Sequence, residues 1–188
     1  MTSTIESPTL TALSGTYALD PSHSRVGFVT RHAMIAKVRG AFNEVTGTAT
    51  IDGANPSASA LEVTIDAASI DTRDANRDGH LRSVDFFDVE TYPTISFKAT
   101  GFEIVDGETV EVTGDLTIKD VTRPVTVPFE FGGAAVDPFG NERIGFEGSV
   151  VVNRKDWGLT WNAALETGGV LVSDKVTLEL EVSAIKSA

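Results

Sequence analysis

Apolar and polar residues alternate along most of this chain, as expected for strands that bury only one face. For example, Val110 and Val112 point to one side of their segment, and Glu111 points to the other. Short turn sequences separate most of the alternating segments, and this regular spacing predicts an antiparallel all-β fold. The eight segments are residues 24–32, 37–52, 60–66, 94–102, 110–119, 125–131, 144–152 and 176–182.

Eight strands fit either a sandwich or a closed barrel, and the sequence favours an antiparallel eight-stranded extended β-barrel. No segment shows the devices that protect a sheet edge, and closure removes the edges. A change of phase in the apolar pattern predicts a β-bulge near residues 43–45. The one long segment without alternation, residues 67–92, predicts one short helix around residues 78–84, between strands three and four. A barrel of this size can enclose one small ligand.

The 188 residues contain no internal repeat and no change of composition, which predicts a single β-barrel domain over residues 16–188. Residues 1–15 are rich in Ser and Thr and predict a disordered leader. They lack the basic and apolar regions of a secretory signal, and no run of about 18 apolar residues occurs in the chain. We therefore expect a cytoplasmic protein without an integral membrane segment.

The charge of the chain excludes one large class of partners. The formal net charge is −12 and the sequence pI is about 4.6. Nucleic acids require a basic surface, so we expect no nucleic-acid partner, and the charge also argues against anionic lipid headgroups. The absence of cysteine excludes disulfides, thiolate catalysis and cysteine metal sites.

Short motifs along the chain resemble the YceI-like family of lipid- or polyisoprenoid-binding proteins. They are Leu19-Asp20, His23-Ser24, Gly40-Ala41-Phe42, residues 69–72, 80–88, 92–98 and 114–118, and Arg154 with Trp157-Gly158. Thr30 and Asp120 depart from the usual family pattern. The resemblance implies a lipocalin-like barrel around an apolar tunnel. It also implies non-enzymatic sequestration or transport of a polyisoprenoid, such as an isoprenoid quinone or a polyprenyl chain, with no further cofactor and a role in the stress response.

A set of inward-facing and loop residues is the candidate wall of the tunnel. They are Val26, Phe28, His32, Phe42, Leu81, Phe86, Phe97, Leu116, Phe129, Phe146, Trp157 and Trp161. The alternative is that these side chains fill a solid core. Four inward glycines, Gly40, Gly47, Gly114 and Gly148, are expected to leave space for a tail. His32 is expected either at the mouth, near a polar head group, or bonded to a loop backbone.

Residues 67–92 are expected to cap or flank the tunnel, with Leu81, Phe86 and Phe87 facing inward. A loop with few ladder bonds opens more easily than a strand, so this segment is the expected gate. The pattern does not fix the oligomeric state, and a homodimer is one option.

A catalytic function is the first alternative to binding, in the form of an isomerase or a hydrolase that acts in the cavity. Asp20, Ser22 or Ser24, and His23 have the residue types of a catalytic triad. Residues so close together on an extended strand rarely converge, and the chain has no Gly-x-Ser-x-Gly turn. We therefore predict that the protein is not an enzyme.

A calcium-responsive module is the second alternative. Asp74, Asn76, Asp78 and Asp85 follow part of the calcium-loop pattern and are weak metal candidates. Three arginines, Arg73, Arg77 and Arg82, would place positive charge around the ion. The competing interpretation is an acidic helix N-terminus, which the helix dipole favours.

Overall fold

The computed structural model describes residues 10–166 and 168–187. The described chain contains eleven strands, one α-helix and five short 3-10 turns. The strands are β1 (Gly15–Leu19), β2 (Arg25–His32), β3 (Ala36–Phe42), β4 (Val45–Ile51), β5 (Ala60–Asp66), β6 (Ile70–Asp71), β7 (Thr94–Ile104), β8 (Thr109–Ile118), β9 (Val121–Val136), β10 (Glu142–Asn153) and β11 (Lys175–Lys186). The helix is α1 (Ala75–Arg82), and the 3-10 turns are Leu10–Ala12, Pro21–His23, Pro56–Ala58, Ala67–Ser69 and Arg154–Trp157.

Eight of the strands close into a barrel. They pair in the order β1, β4, β5, β7, β8, β9, β10 and β11, every pair is antiparallel, and β11 pairs back to β1. β11 pairs with β1 along only part of one edge, and the rest of that edge pairs with β2. β3 pairs with β2, and the short β6 pairs with β3, so that these strands extend the wall. This confirms the predicted antiparallel eight-stranded barrel.

The second predicted strand, residues 37–52, is divided into two strands, and β1 was not among the predicted strands. β1 and β2 are separated by the turn Pro21–His23, and β3 and β4 are separated by residues 43–44. The irregularity expected near residues 43–45 is therefore a break between β3 and β4. At each of these two points the chain passes between the closed barrel, which contains the paired strands β1 and β4, and the β2–β3 hairpin.

The predicted short helix is confirmed as α1, which lies between β5 and β7. Asp74 caps its N-terminus and accepts hydrogen bonds from the backbone N–H groups of Asn76 and Arg77, both at 3.0 Å. The buried Asp78 accepts a bond from the Thr72 backbone N–H at 2.8 Å. Arg77 donates to the Thr72 hydroxyl at 2.7 Å. These bonds attach the helix to the chain just before it.

The barrel end next to the N-terminal leader is more ordered than the sequence predicts. Leu10 and Leu13 are 6% and 5% exposed and pack in a cluster that includes Tyr17 and Ile144. The prediction of disorder is therefore wrong for residues 10–15, because two leucines spaced three residues apart bury themselves against the barrel interior. Residues 1–9 of the predicted leader lie outside the described residues.

Three of the four glycines expected to leave open space are instead covered by aromatic rings. Phe28 lies over Gly40, Phe97 over Gly114 and Phe129 over Gly148. A Cβ at position 148 would be only 2.7 Å from Cδ1 of Phe129, and a Cβ at Gly47 would be 3.2 Å from a backbone oxygen. The prediction that these glycines leave space for a tail is therefore wrong. An aromatic ring from a neighbouring strand often compensates for the missing side chain of a sheet glycine.

Gly114→Ala should destabilise the barrel, whereas Gly101→Ala should not. A Cβ at position 114 would contact the Phe97 ring and lie 2.7 Å from the Lys98 carbonyl oxygen. Such crowding typically costs about 1–3 kcal/mol of unfolding free energy. Nothing lies within 4 Å of a Cβ at Gly101, which makes it the matched control. Urea denaturation of both variants checks this, and equal losses would contradict the packing described.

Arg143 joins two acidic turns at the barrel end next to the N-terminal leader. Its Nη1 donates to Asp20 Oδ2 at 2.6 Å, and its Nε donates to Asp137 Oδ2 at 2.7 Å. The hydrogen bonds from Arg143 lower the pKa of both carboxyl groups far below the usual range. The bend between β1 and β2 is thereby attached to the turn between β9 and β10.

Arg143→Met should therefore destabilise the protein in a pH-dependent way. A carboxyl group whose pKa is lower in the folded state stabilises the fold above its unfolded pKa of about 3.9, and this stabilisation is lost as the pH falls. The loss in unfolding free energy should be largest near about pH 7 and should shrink towards about pH 2. Urea titrations at both pH values test this, with the exposed Arg39→Met as control. A loss that is the same at both pH values would contradict it.

Candidate ligand-binding cavity

The barrel interior contains a large cavity. About 230 Å³ of it is open to the centre of a water-sized molecule. A single water requires about 10–15 Å³ by this measure, so the space is far larger than a packing defect. The wall is formed by inward side chains of all eight barrel strands and of β2. Asp52 is the only charged residue of the described lining.

The cavity exists because most inward side chains are too short to meet across the barrel. β4 contributes Ala49, β5 contributes Leu61 and Val63, and β11 contributes Leu180 and Val182. These five residues are only partly buried, although they lie inside the barrel. An eight-stranded barrel is wide enough that aliphatic side chains of this size leave room for one ligand.

The lining contains residues outside strands at one end only, which we call the leader end. They are Leu10, Leu13, Asp52, Gly53, Pro56 and Ser59. The residues just before β1 contact the β4–β5 connection, because the Gly53 N–H donates to the Ser14 hydroxyl at 2.9 Å. Segments without ladder bonds open at lower free energy than paired strands. The leader end is thus the weakest part of the cavity wall.

Five of the twelve predicted wall residues line the cavity. They are Val26, Phe97, Leu116, Phe129 and Phe146. All five lie on strands, at positions where alternation aims the side chain into the barrel. The other seven lie outside the lining and form three groups, at the β2–β3 hairpin, around α1 and at the β10–β11 loop.

The hairpin group contains Phe28 and Phe42. Their ring centroids are 5.8 Å apart, and the Phe42 ring lies 5.7 Å from that of Phe87. These aromatic contacts fill the space where the hairpin leaves the barrel. His32 lies at the end of β2, where it is exposed and pairs with Val172 through an isolated bridge. It is not part of the cavity lining.

The group around α1 contains Leu81, Phe86 and Trp161. Phe86 and Trp161 pack around His80, with ring centroids 5.1 and 4.6 Å from the imidazole. Leu81 is half-buried on the helix. Residues 67–92 contribute no side chain to the described lining, so the expectation that Leu81, Phe86 and Phe87 face the cavity is wrong. Within this segment, Arg82 donates to the Ala68 carbonyl at 2.9 Å, which attaches the end of α1 to the start of the segment.

Trp157 and Arg154 organise the β10–β11 loop behind the cavity wall. The buried Trp157 indole donates to the Leu116 carbonyl at 2.9 Å. Arg154 is 5% exposed and donates to the carbonyls of Leu159, Trp161, Val172 and Ser173. Sequence reasoning gave Arg154 no role of its own. An arginine directly after a buried strand, three residues before Trp-Gly, was the available signal.

The triad candidates converge, contrary to expectation, but not in a catalytic arrangement. The Ser22 hydroxyl lies 3.0 Å from His23 Nδ1, and Asp20 Oδ2 lies 2.8 Å from the same nitrogen. A catalytic triad requires the hydroxyl and the carboxylate on opposite ring nitrogens. The three residues lie in the turn between β1 and β2, outside the described cavity lining.

The metal candidates do not come together around one point. Asp74 caps α1, Asp78 accepts bonds from Thr72, and Asp85 lies 2.8 Å from His80 Nε2. Asn76 is exposed on the first turn of the helix. Among residues 10–166 and 168–187, no group of three or more His, Asp or Glu side chains could coordinate an ion. No helix in those residues is long and apolar enough to cross a membrane.

A closed antiparallel barrel around an apolar cavity defines a class of protein that binds small ligands in its interior. The YceI-like domain family matches residues 17–184, and the chain belongs to that family. This confirms the resemblance found in the sequence motifs. A UPF0312 protein of Pseudomonas aeruginosa (strain LESB58) is 37% identical over 177 residues, which cover 93% of this chain and 89% of that protein.

Solved structures share the fold. The crystal structure of BcnA from Burkholderia cenocepacia has a TM-score of 0.77 and 26% identity, and covers 88% of this chain and 98% of its own. A polyisoprenoid-binding domain from Saccharophagus degradans, implicated in plant cell wall breakdown, has a TM-score of 0.69. It is 17% identical and covers 91% of this chain and 98% of its own, so this similarity shows the fold alone.

Proposed function

We propose that the protein binds one apolar lipid, an isoprenoid chain, inside the barrel and sequesters or transports it without chemical change. The large apolar cavity is the observation that carries the proposal. Each Å² of apolar surface that a tail buries there contributes about 25 cal/mol. A tail therefore gains most of its binding energy from the wall, with little need for polar contacts.

An isoprenoid fits this wall better than a straight chain. Its methyl branches match an interior of branched aliphatic side chains and a few phenylalanines, such as Val63, Leu180 and Phe146. The similarity in fold to the polyisoprenoid-binding domain of S. degradans supports the same class of ligand. Isoprenoid quinones and polyprenyl chains both belong to this class.

The described lining favours binding over catalysis. Asp52 and Tyr17 are its only titratable side chains. Asp52 caps a turn and accepts bonds from the N–H groups of Ala54 and Asn55 at 3.1 and 3.0 Å. An enzyme of the cavity would need a nucleophile or a general base beside the ligand. We therefore propose a carrier rather than an isomerase or a hydrolase.

Titration of delipidated protein tests the proposal. The fluorescent probe N-phenyl-1-naphthylamine should bind with a stoichiometry of one per chain, and geranylgeraniol should displace it. A straight-chain alcohol of similar length is the matched control and should displace it less effectively. Failure of geranylgeraniol to displace the probe, or equal displacement by both alcohols, would contradict isoprenoid binding.

A further inference from the structure

Tyr17 places a hydroxyl in the largely apolar wall of the cavity. It lies on β1, lines the cavity near the leader end and is only 4% exposed. Its neighbours across the sheet are Ala49 on β4 and Lys186 on β11. Leu10 and Leu13 pack in the same cluster. Tyr17 is thus one of the residues that close the weakest end of the cavity.

The Tyr17 hydroxyl faces open space. Among the described groups it has no hydrogen-bond partner, although every side-chain polar atom fully sealed from solvent has one. Its oxygen is therefore not sealed inside the protein, even though the residue is almost wholly buried. Because the side chain lines the cavity and the residue is only 4% exposed, we infer that this open space is the cavity. An unpaired hydroxyl in an apolar wall gains a hydrogen bond when a ligand supplies the partner.

The other polar groups at this end already have partners within the protein. Asp52 accepts its two turn bonds, and its own N–H donates to the Ser59 hydroxyl at 2.9 Å. Lys186 Nζ lies 3.6 Å from Glu142 Oε2. Tyr17 therefore offers a free hydrogen-bonding group in this part of the wall, as does the hydroxyl hydrogen of Ser59, whose oxygen accepts from the Asp52 N–H.

The Tyr17 hydroxyl can act as a donor at neutral pH. Burial raises the pKa of Tyr17, and Glu142 raises it further, whereas Lys186 lowers it. The phenol is therefore protonated and uncharged at pH 7. A protonated phenol can both donate a hydrogen bond to a carbonyl and accept one from an alcohol.

We propose that the Tyr17 hydroxyl binds one uncharged oxygen group, an alcohol or a carbonyl, at the end of the isoprenoid cargo. This rests on the function proposed above and specifies its ligand. The polar end of the cargo lies at the leader end, and the apolar tail extends into the rest of the barrel. A diphosphate fits less well, because the only charged residue of the described lining is Asp52, whose carboxylate would repel it.

A double-mutant cycle between protein and ligand tests this contact. The probes are geranylgeraniol and the hydrocarbon in which hydrogen replaces its hydroxyl, both measured by displacement of N-phenyl-1-naphthylamine. Tyr17→Phe should weaken binding of the alcohol by roughly fivefold to tenfold, the usual worth of one hydrogen bond. Binding of the hydrocarbon should stay within about twofold of the wild type.

Tyr92→Phe is the matched control, because Tyr92 is the other tyrosine of the chain and lies outside the cavity lining. It should leave binding of both probes unchanged. Equal weakening of both probes by Tyr17→Phe, or no weakening of either, would overturn the role of Tyr17. Tighter binding of geranylgeranyl diphosphate than of the alcohol, unaffected by Tyr17→Phe, would also overturn it. If the wild type binds neither uncharged probe, the proposed function itself fails.

Discussion

Arg154→Met should destabilise the protein more than any other substitution considered above. The buried guanidinium donates to four backbone carbonyls of the β10–β11 loop, and its charge lies 3.6 Å from Asp174. Methionine fills a similar volume but leaves those carbonyls without their donor. A buried acceptor left without its donor costs about 1–3 kcal/mol, so loss of these bonds together should cost about 3–5 kcal/mol. For a chain of this size, that lowers the melting temperature by about 6–20 °C.

Lys155→Met is the matched control for Arg154. Lys155 is the next residue, is exposed, and also contacts Asp174, at 3.4 Å. Its removal should change the unfolding free energy by less than about 1 kcal/mol, as is usual for a surface ion pair. Thermal melting followed by circular dichroism measures both variants. A melting temperature of Arg154→Met equal to that of Lys155→Met would show that Arg154 does not organise the loop.

Val63→Trp should strongly weaken binding of the cargo while the fold survives. Val63 points into the cavity from β5, between Gly47 on β4 and Phe97 on β7. An indole there occupies space that the tail needs. Each displaced methylene loses about 0.8 kcal/mol, so exclusion of about four carbons weakens binding by roughly a hundredfold. The melting temperature should stay near that of the wild type, because the ring enters open space.

Thr64→Trp controls for the indole itself. Thr64 is the next residue of β5 and points outward, where it is exposed. Probe displacement should be unchanged in this variant. Two results would contradict a ligand-accessible interior. One is unchanged binding in Val63→Trp, and the other is strong destabilisation by the same substitution, as expected if a packed core were being overfilled.

The alternation of apolar residues predicted an antiparallel all-β fold, because each strand buries only one face. The choice of a barrel over a sandwich came from the absence of edge protection. The phase change near residues 43–45 gave the right position for the irregularity, but the structure has a break between β3 and β4 there and not the predicted β-bulge. The short helix followed from the only long segment without alternation, and Asp74, one of the metal candidates, is its N-terminal cap. Local patterns of this kind reflect interactions between residues that are close in sequence.

The cavity wall could be predicted only in part, because alternation gives the face of a residue but not its position along the barrel. Phe28 and Val26 share an inward face, yet only Val26 reaches the cavity, since the β2–β3 hairpin extends beyond it. The rings that cover Gly114 and Gly148 come from other strands. The unpaired hydroxyl of Tyr17 likewise depends on which strands flank β1. Such pairings are tertiary and leave no local signal.

Mass spectrometry of an organic extract of the purified protein tests the central claim most directly. Protein expressed without added lipid should yield an apolar isoprenoid in an amount close to one molecule per chain. The same extraction from Val63→Trp should yield little of it, and extraction from Thr64→Trp should match the wild type. A wild-type extract without a stoichiometric lipid, or one equally rich in straight-chain fatty acids and in isoprenoids, would contradict isoprenoid binding in the barrel.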